Sequence, residues 1–131
     1  MKSSQQLVAE AKAVIKEVDV ATLLSALDDH HTVLIDVRET DEYDKGHIDR
    51  SVNYPRGMLE MQIHQHPSVS HHFEPMNALE ELSSKPIYVI CRSGARSALA
   101  TQTLMNMGFE NVMSVAGGMN AWSEAGYPIE V

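Results

Sequence analysis

A single cysteine stands among 131 residues, and the six that follow it, Arg92, Ser93, Gly94, Ala95, Arg96 and Ser97, are small or cationic. The thiolate is the nucleophilic form of cysteine, and in a free side chain it is only about 3 percent of the population at pH 7. Two guanidinium groups within five residues of Cys91 would favour the anion. So would converging loop amides and the positive end of a helix. The elements needed for that are written on either side of the loop. Ile87 to Ile90 is a short, apolar run rich in β-branched residues, the pattern of a strand buried on both faces. Beyond Ser97, the residues Ala100, Thr103, Leu104 and Met107 recur at helical intervals, and Gly108 stands where that helix would stop. A tight turn between the carboxyl end of a strand and a helix is an anion cradle. The plain alternative is an inert cysteine buried at a strand end. Such a residue has no use for two arginines and a glycine beside it, so we read Cys91 as reactive.

The rest of the chain must position that loop. Leu7, Ala11, Val14, Ile15 and Val18 fall on one face of an amphipathic helix over residues 4–18. Residues 1–16 are therefore expected to form a helix packed on one domain, residues 17–131. Asp19 is placed to cap a second helix whose buried stripe is Val20, Leu23, Leu24 and Leu27. Strands are expected at about 17–20, 33–37, 51–54, 87–91 and 112–115. Helical stretches separate most of them, which implies an α/β fold with a parallel sheet covered by helices on both faces. Ligands in such sheets bind beyond the carboxyl ends of the strands, where Asp36, Cys91 and Ala116 all fall. Ala116, Gly117 and Gly118 would let the backbone approach the cradle closely, and Trp122 is expected buried in a final helix.

Several polar residues need a partner or a role. Asp36 interrupts an apolar strand, so its carboxylate must be paired, with loop amides, with Ser97 or with an arginine. We read it and Ser97 as support for the loop. Arg38 and Glu42 are expected to pair with each other or with nearby backbone. Arg56 follows a strand end and would reach the rim of the pocket. His30 and His31 read as a solvated turn. His64, His66, His71 and His72 invite a metal, but no second cysteine is available and Glu74 is close only in sequence. That segment is read as an exposed loop and docking surface, with no metal.

Composition narrows the partners. Ten basic against 18 acidic residues give a net charge of −8, which argues against nucleic acid or an anionic membrane surface. No run of 18 apolar residues and no signal-peptide pattern occurs. One cysteine excludes an internal disulfide framework, and a reducing cytoplasmic setting is the expectation. No cofactor is called for.

The loop Cys91-Arg-Ser-Gly-Ala-Arg-Ser97 resembles the active-site loop of the rhodanese (thiosulfate sulfurtransferase) family. The stretch from Leu34 to Ile48 and that from Gly108 to Trp122 are similar to the motifs that flank it there. The resemblance implies an open five-stranded parallel sheet and a sulfurtransferase with Cys91 as nucleophile. It implies a persulfide on Cys91, charged by thiosulfate or another small anionic sulfur donor. Amides of residues 92–96 would hold the terminal sulfur, with Arg92 attracting the donor. Arg96 would either face the anion or brace the loop through Asp36. With no second cysteine, the acceptor must be an external thiol. His47 is read as a packing residue of its turn. Two other readings remain: a persulfide carrier or regulatory module without turnover, and a phosphatase. The related phosphatases resemble a pattern with five residues between cysteine and arginine, where this chain has four, Arg92 to Ala95.

Overall fold

A computed structural model describes residues 1–131. Five strands, β1 (Lys16–Val18), β2 (Val33–Asp36), β3 (Val52–Asn53), β4 (Ile87–Ile90) and β5 (Val112–Val115), form one all-parallel sheet in the order β1-β5-β4-β2-β3. Helices α1 (Ser4–Lys12), α2 (Val20–Ala26), α3 (Thr40–Asp44), α4 (Leu59–Gln62), α5 (Pro75–Ser83), α6 (Ala95–Met107) and α7 (Gly118–Glu124) cover it. The expected fold class is the one observed. From β2 the chain moves outward to β3, whereas from β4 it moves the opposite way to β5. The loops leaving β2 and β4 therefore diverge and open a crevice at their carboxyl ends.

Strand pleating sorts side chains between two cores. Val33, Ile35 and Val37, with Ile87, Val89 and Cys91, belong to the larger one, which also contains Leu59, Ile63, Leu82 and Leu104 from α4 to α6 and the segment between. Leu34, Ile90 and Val115 face the other way, onto Leu23 of α2 and Met119 and Trp122 of α7. Cys91 thus lies on the α6 side of the sheet. Asp36, in step with Leu34, projects from the opposite side. No helix is long and apolar enough to cross a membrane.

Helix α1 is shorter than the apolar spacing predicts. It ends at Lys12, only Ala11 is buried, and Leu7 and Val14 are 45% and 57% exposed. Val18 contributes instead to β1, which pairs with β5, while the shorter α1 packs against α6. Asp19 caps α2 as expected, accepting the Thr22 N–H at 2.8 Å. The histidine-rich stretch is not an open loop. Ile63–Gln65 and Pro67–Val69 are 3-10 turns, and Ile63, His66 and Val69 are buried.

Candidate active site

Cys91 leaves β4 with 1% of its surface exposed, and the loop folds back over its sulfur. The Gly94 N–H donates to Sγ at 3.1 Å and the Ser97 N–H at 3.3 Å. The Ser97 hydroxyl lies 3.4 Å from the same sulfur and 2.9 Å from the hydroxyl of Ser114. Gly94 adopts φ 105° to make the turn, a conformation open to glycine at little cost. The N–H groups of Arg92, Ser93, Ala95 and Arg96 have no acceptor within the chain. Those of Ala95 and Arg96 belong to the first turn of α6, where an intrahelical acceptor cannot exist.

The loop is oriented from below by α7. Met119 N–H donates to the Cys91 carbonyl at 2.8 Å, and Asn120 N–H to the Arg92 carbonyl at 3.0 Å. In a trans peptide the C=O and the following N–H point in opposite directions. Drawing these two carbonyls onto α7 therefore turns the Arg92 and Ser93 N–H groups away from it. Gly118 allows the contact: an added Cβ would lie 2.4 Å from the Cys91 carbonyl oxygen.

The arginines divide the work differently from the sequence reading. Arg96 makes a fork-to-fork pair with Glu42, at 2.7 and 3.1 Å, and does not brace the loop through Asp36. Asp36 is fully buried and is taken by Arg38, whose Nε and Nη2 donate to its carboxylate at 2.8 to 3.1 Å. It does not support the cysteine loop by contact, because the pleat places it on the other face of the sheet from Cys91. Arg38 also donates to the backbone carbonyls of Glu42 and Gly46, so the expectation of a nearby-backbone partner holds. This pair ties down the β2–α3 turn and with it α3, from which Glu42 reaches across to Arg96. Arg56 is not at the rim: it bonds Thr103, two turns into α6, and Glu60. His47 stacks on Tyr43 with ring centroids 3.9 Å apart and pairs with the Glu130 backbone, in keeping with a packing role.

That leaves Arg92. It is exposed, has no acidic partner, and lines a groove of 360 Å³ together with Arg38, Glu42, Lys45, Met119 and Asn120. A water molecule occupies about 30 Å³ in the liquid, so the groove has room for more than a small inorganic anion. Cys91 lies beneath the loop and not in the groove wall.

Ser114 was not singled out from the sequence. Its signal is present nonetheless: a hydroxyl in the buried strand β5, two residues from Val112 and so on the α6 face. A buried hydroxyl in an apolar strand needs a partner, and Ser97 supplies it. Glu42 meets Arg38 through its backbone carbonyl, as expected, while its carboxylate goes to Arg96, a partner the spacing does not name. The Arg96 guanidinium holds its carboxyl down at about 2. The pair is complete above the ordinary carboxyl value of 4.5 and is lost as pH falls through about 2. Because Arg96 is 36% exposed, Glu42→Gln is expected to cost only about 0.5–1 kcal/mol at neutral pH. The gap to wild type in urea unfolding should close between pH 4.5 and 2.

A family model for the rhodanese-like domain matches residues 19–125. The chain belongs to the rhodanese-like domain family. Rhodanese-like relatives include thiosulfate sulfurtransferase GlpE of Pseudoalteromonas translucida, 30% identical over 88% of this chain and 95% of its own. Thiosulfate sulfurtransferase 18 of Arabidopsis thaliana is 32% identical, over 96% and 92%. Other relatives are longer, and the chain spans 54% of one from Bacillus subtilis at 31% identity. Among solved structures, a Rhodopseudomonas palustris protein of unknown function, described as a possible tyrosine phosphatase, superposes with a TM-score of 0.79. It is 31% identical, with 99% of this chain and 96% of that one covered.

Proposed function

We propose that this protein is a sulfurtransferase that carries a sulfane sulfur as a persulfide on Cys91. The Cys91 thiolate attacks the outer sulfur of thiosulfate or a similar anionic donor. The donor's S–S bond breaks, sulfite leaves with the electron pair, and Cys91–S–S⁻ remains. An external thiolate, or cyanide in an assay, then attacks the terminal sulfur and returns the Cys91 thiolate. This is covalent, two-step transfer. The observation that carries the reading is the set of main-chain donors around one sulfur. Two N–H groups are spent on Sγ, and those of Arg92, Ser93, Ala95 and Arg96 remain for a further anionic atom. Arg92, free of any partner, supplies the charge that draws in the donor. The groove beside it suits the thiol acceptor, which must come from outside because the chain has no second cysteine.

Mass spectrometry after treatment with thiosulfate tests the chemistry. The expected result is one added sulfur on the wild-type chain and none on Cys91→Ser, with thiosulfate:cyanide turnover lost in the same variant. One added sulfur without turnover would assign a carrier. Full turnover by Cys91→Ser would end the proposal, and hydrolysis of an aryl phosphate that depends on Cys91 would replace it with a phosphatase.

A further inference from the structure

Remote from the cysteine loop, the histidine-rich segment meets α5. His71 Nε2 lies 3.3 Å from Glu81 Oε1, and His72 Nε2 lies 2.6 Å from the same oxygen. One donor atom from each of the three side chains falls within 4.8 Å of the others. The two imidazoles sit side by side, with ring centroids 4.3 Å apart and planes 36° to each other. The carboxylate that the sequence reading could not find is thus supplied from the next helix. Glu81 stands nine residues after His72, far enough for the chain to turn and bring it back.

We propose that His71, His72 and Glu81 form a site for one Zn²⁺ ion. Two imidazole nitrogens and one carboxylate oxygen are a donor set that zinc accepts, with a fourth position left to water. The spacing fits. Zinc bonds of about 2.0–2.1 Å in a tetrahedron put neighbouring donors about 3.4 Å apart. The His71–Glu81 separation already has that value. The His72–Glu81 hydrogen bond, at 2.6 Å, must open by about 0.8 Å to reach it. His72 is 28% and Glu81 35% exposed, while His71 is 64% exposed. The site is therefore reachable from solvent. Lys85 approaches the other carboxylate oxygen, Oε2, at 3.8 Å, which leaves Oε1 to the metal. An ion held there would fasten the segment carrying the 3-10 turns to α5. The net charge of −8 favours a cation over the whole surface, so the proposal requires these three ligands in particular and not charge alone.

The chain carrying Cys91→Ser, which removes the thiolate as a competing ligand, should be titrated with Zn²⁺ against a chromogenic chelator. One equivalent is expected to bind. His72→Ala and Glu81→Gln, each made in that background, should weaken binding about tenfold or more, since even the partners standing behind a metal ligand are worth that much. The double change His30→Ala and His31→Ala, at the other exposed histidine pair, should leave it unchanged. Zinc should also raise the thermal midpoint of the parent and not that of Glu81→Gln, whose near-identical shape keeps the fold. The proposal is overturned if the parent takes up no zinc, if His72→Ala or Glu81→Gln bind as tightly as the parent, or if the His30 and His31 change removes the binding.

Discussion

Gly118→Ala is expected to disable the protein although it adds one methyl group far along the chain from Cys91. The new Cβ would stand 2.4 Å from the Cys91 carbonyl oxygen and 2.7 Å from the carbonyl carbon and oxygen of Arg92. These are backbone atoms, and no side-chain rotation relieves the overlap. Gly118 also has φ 54°, a left-handed conformation that costs other residues about 1–2 kcal/mol. Together with the overpacking, the loss of stability should be about 2–5 kcal/mol. The loop can escape only by lifting off α7, which breaks the Met119 and Asn120 hydrogen bonds and releases the carbonyls they hold. Sulfur uptake at Cys91 should then fall even in the fraction that remains folded. Gly57→Ala is the control, because its Cβ would meet nothing within 4 Å and its φ is ordinary. Equal thermal midpoints and equal persulfide yields for Gly118→Ala and wild type would refute this account of the loop.

A second large effect is expected from His66. It is 7% exposed and caps the Pro67–Val69 turn, its Nδ1 accepting the Ser68 N–H at 3.2 Å. Burial, with the nearby Lys85 ammonium, pushes its pKa from 6.5 down to about 4. Well above pH 6.5 the ring is neutral whether the chain is folded or not, and it contributes nothing to pH dependence. Below 6.5 the unfolded chain takes up a proton that the folded one refuses, so stability is lost as pH falls and levels off below about 4. The loss attributable to His66 should reach about 2 kcal/mol at pH 5 and about 3 kcal/mol in full. His66→Asn keeps an acceptor for the turn and removes the titration. In urea unfolding, wild type should lose about 2 kcal/mol relative to this variant between pH 7.5 and 5. Parallel curves would show that burial of His66 has no such effect.

The fold class, the cysteine loop and the helix that follows it were legible because each is local. An apolar strand, a turn rich in small residues and a helical period all lie within about twenty consecutive positions. What the sequence concealed was pairing across the fold. Arg96 and Glu42 are 54 residues apart, and nothing in either neighbourhood names the other. Of the partners expected for Asp36, an arginine is the one it has, Arg38, and the cysteine loop is the one it lacks. Strand alternation puts it in step with Leu34 and Ile90, on the face away from Cys91, so loop contact was excluded once the strand was accepted. Arg56 follows a strand end as expected, yet its long side chain runs to Thr103 and Glu60. The amphipathic spacing of residues 4–18 overstated the helix because Val18 serves a strand while Leu7 and Val14 stay exposed. Glu81 was invisible as a partner of the histidines because a proline-led helix start intervenes.

The hydrogen bonds from Met119 and Asn120 to the loop carry a consequence for the nascent polypeptide. Translation delivers Cys91 well before the residues that seat its carbonyl, and β1, hydrogen-bonded only to β5, must wait for the same late segment. A ribosome-bound chain that has emerged only as far as α6 therefore displays the thiol without its finished surroundings.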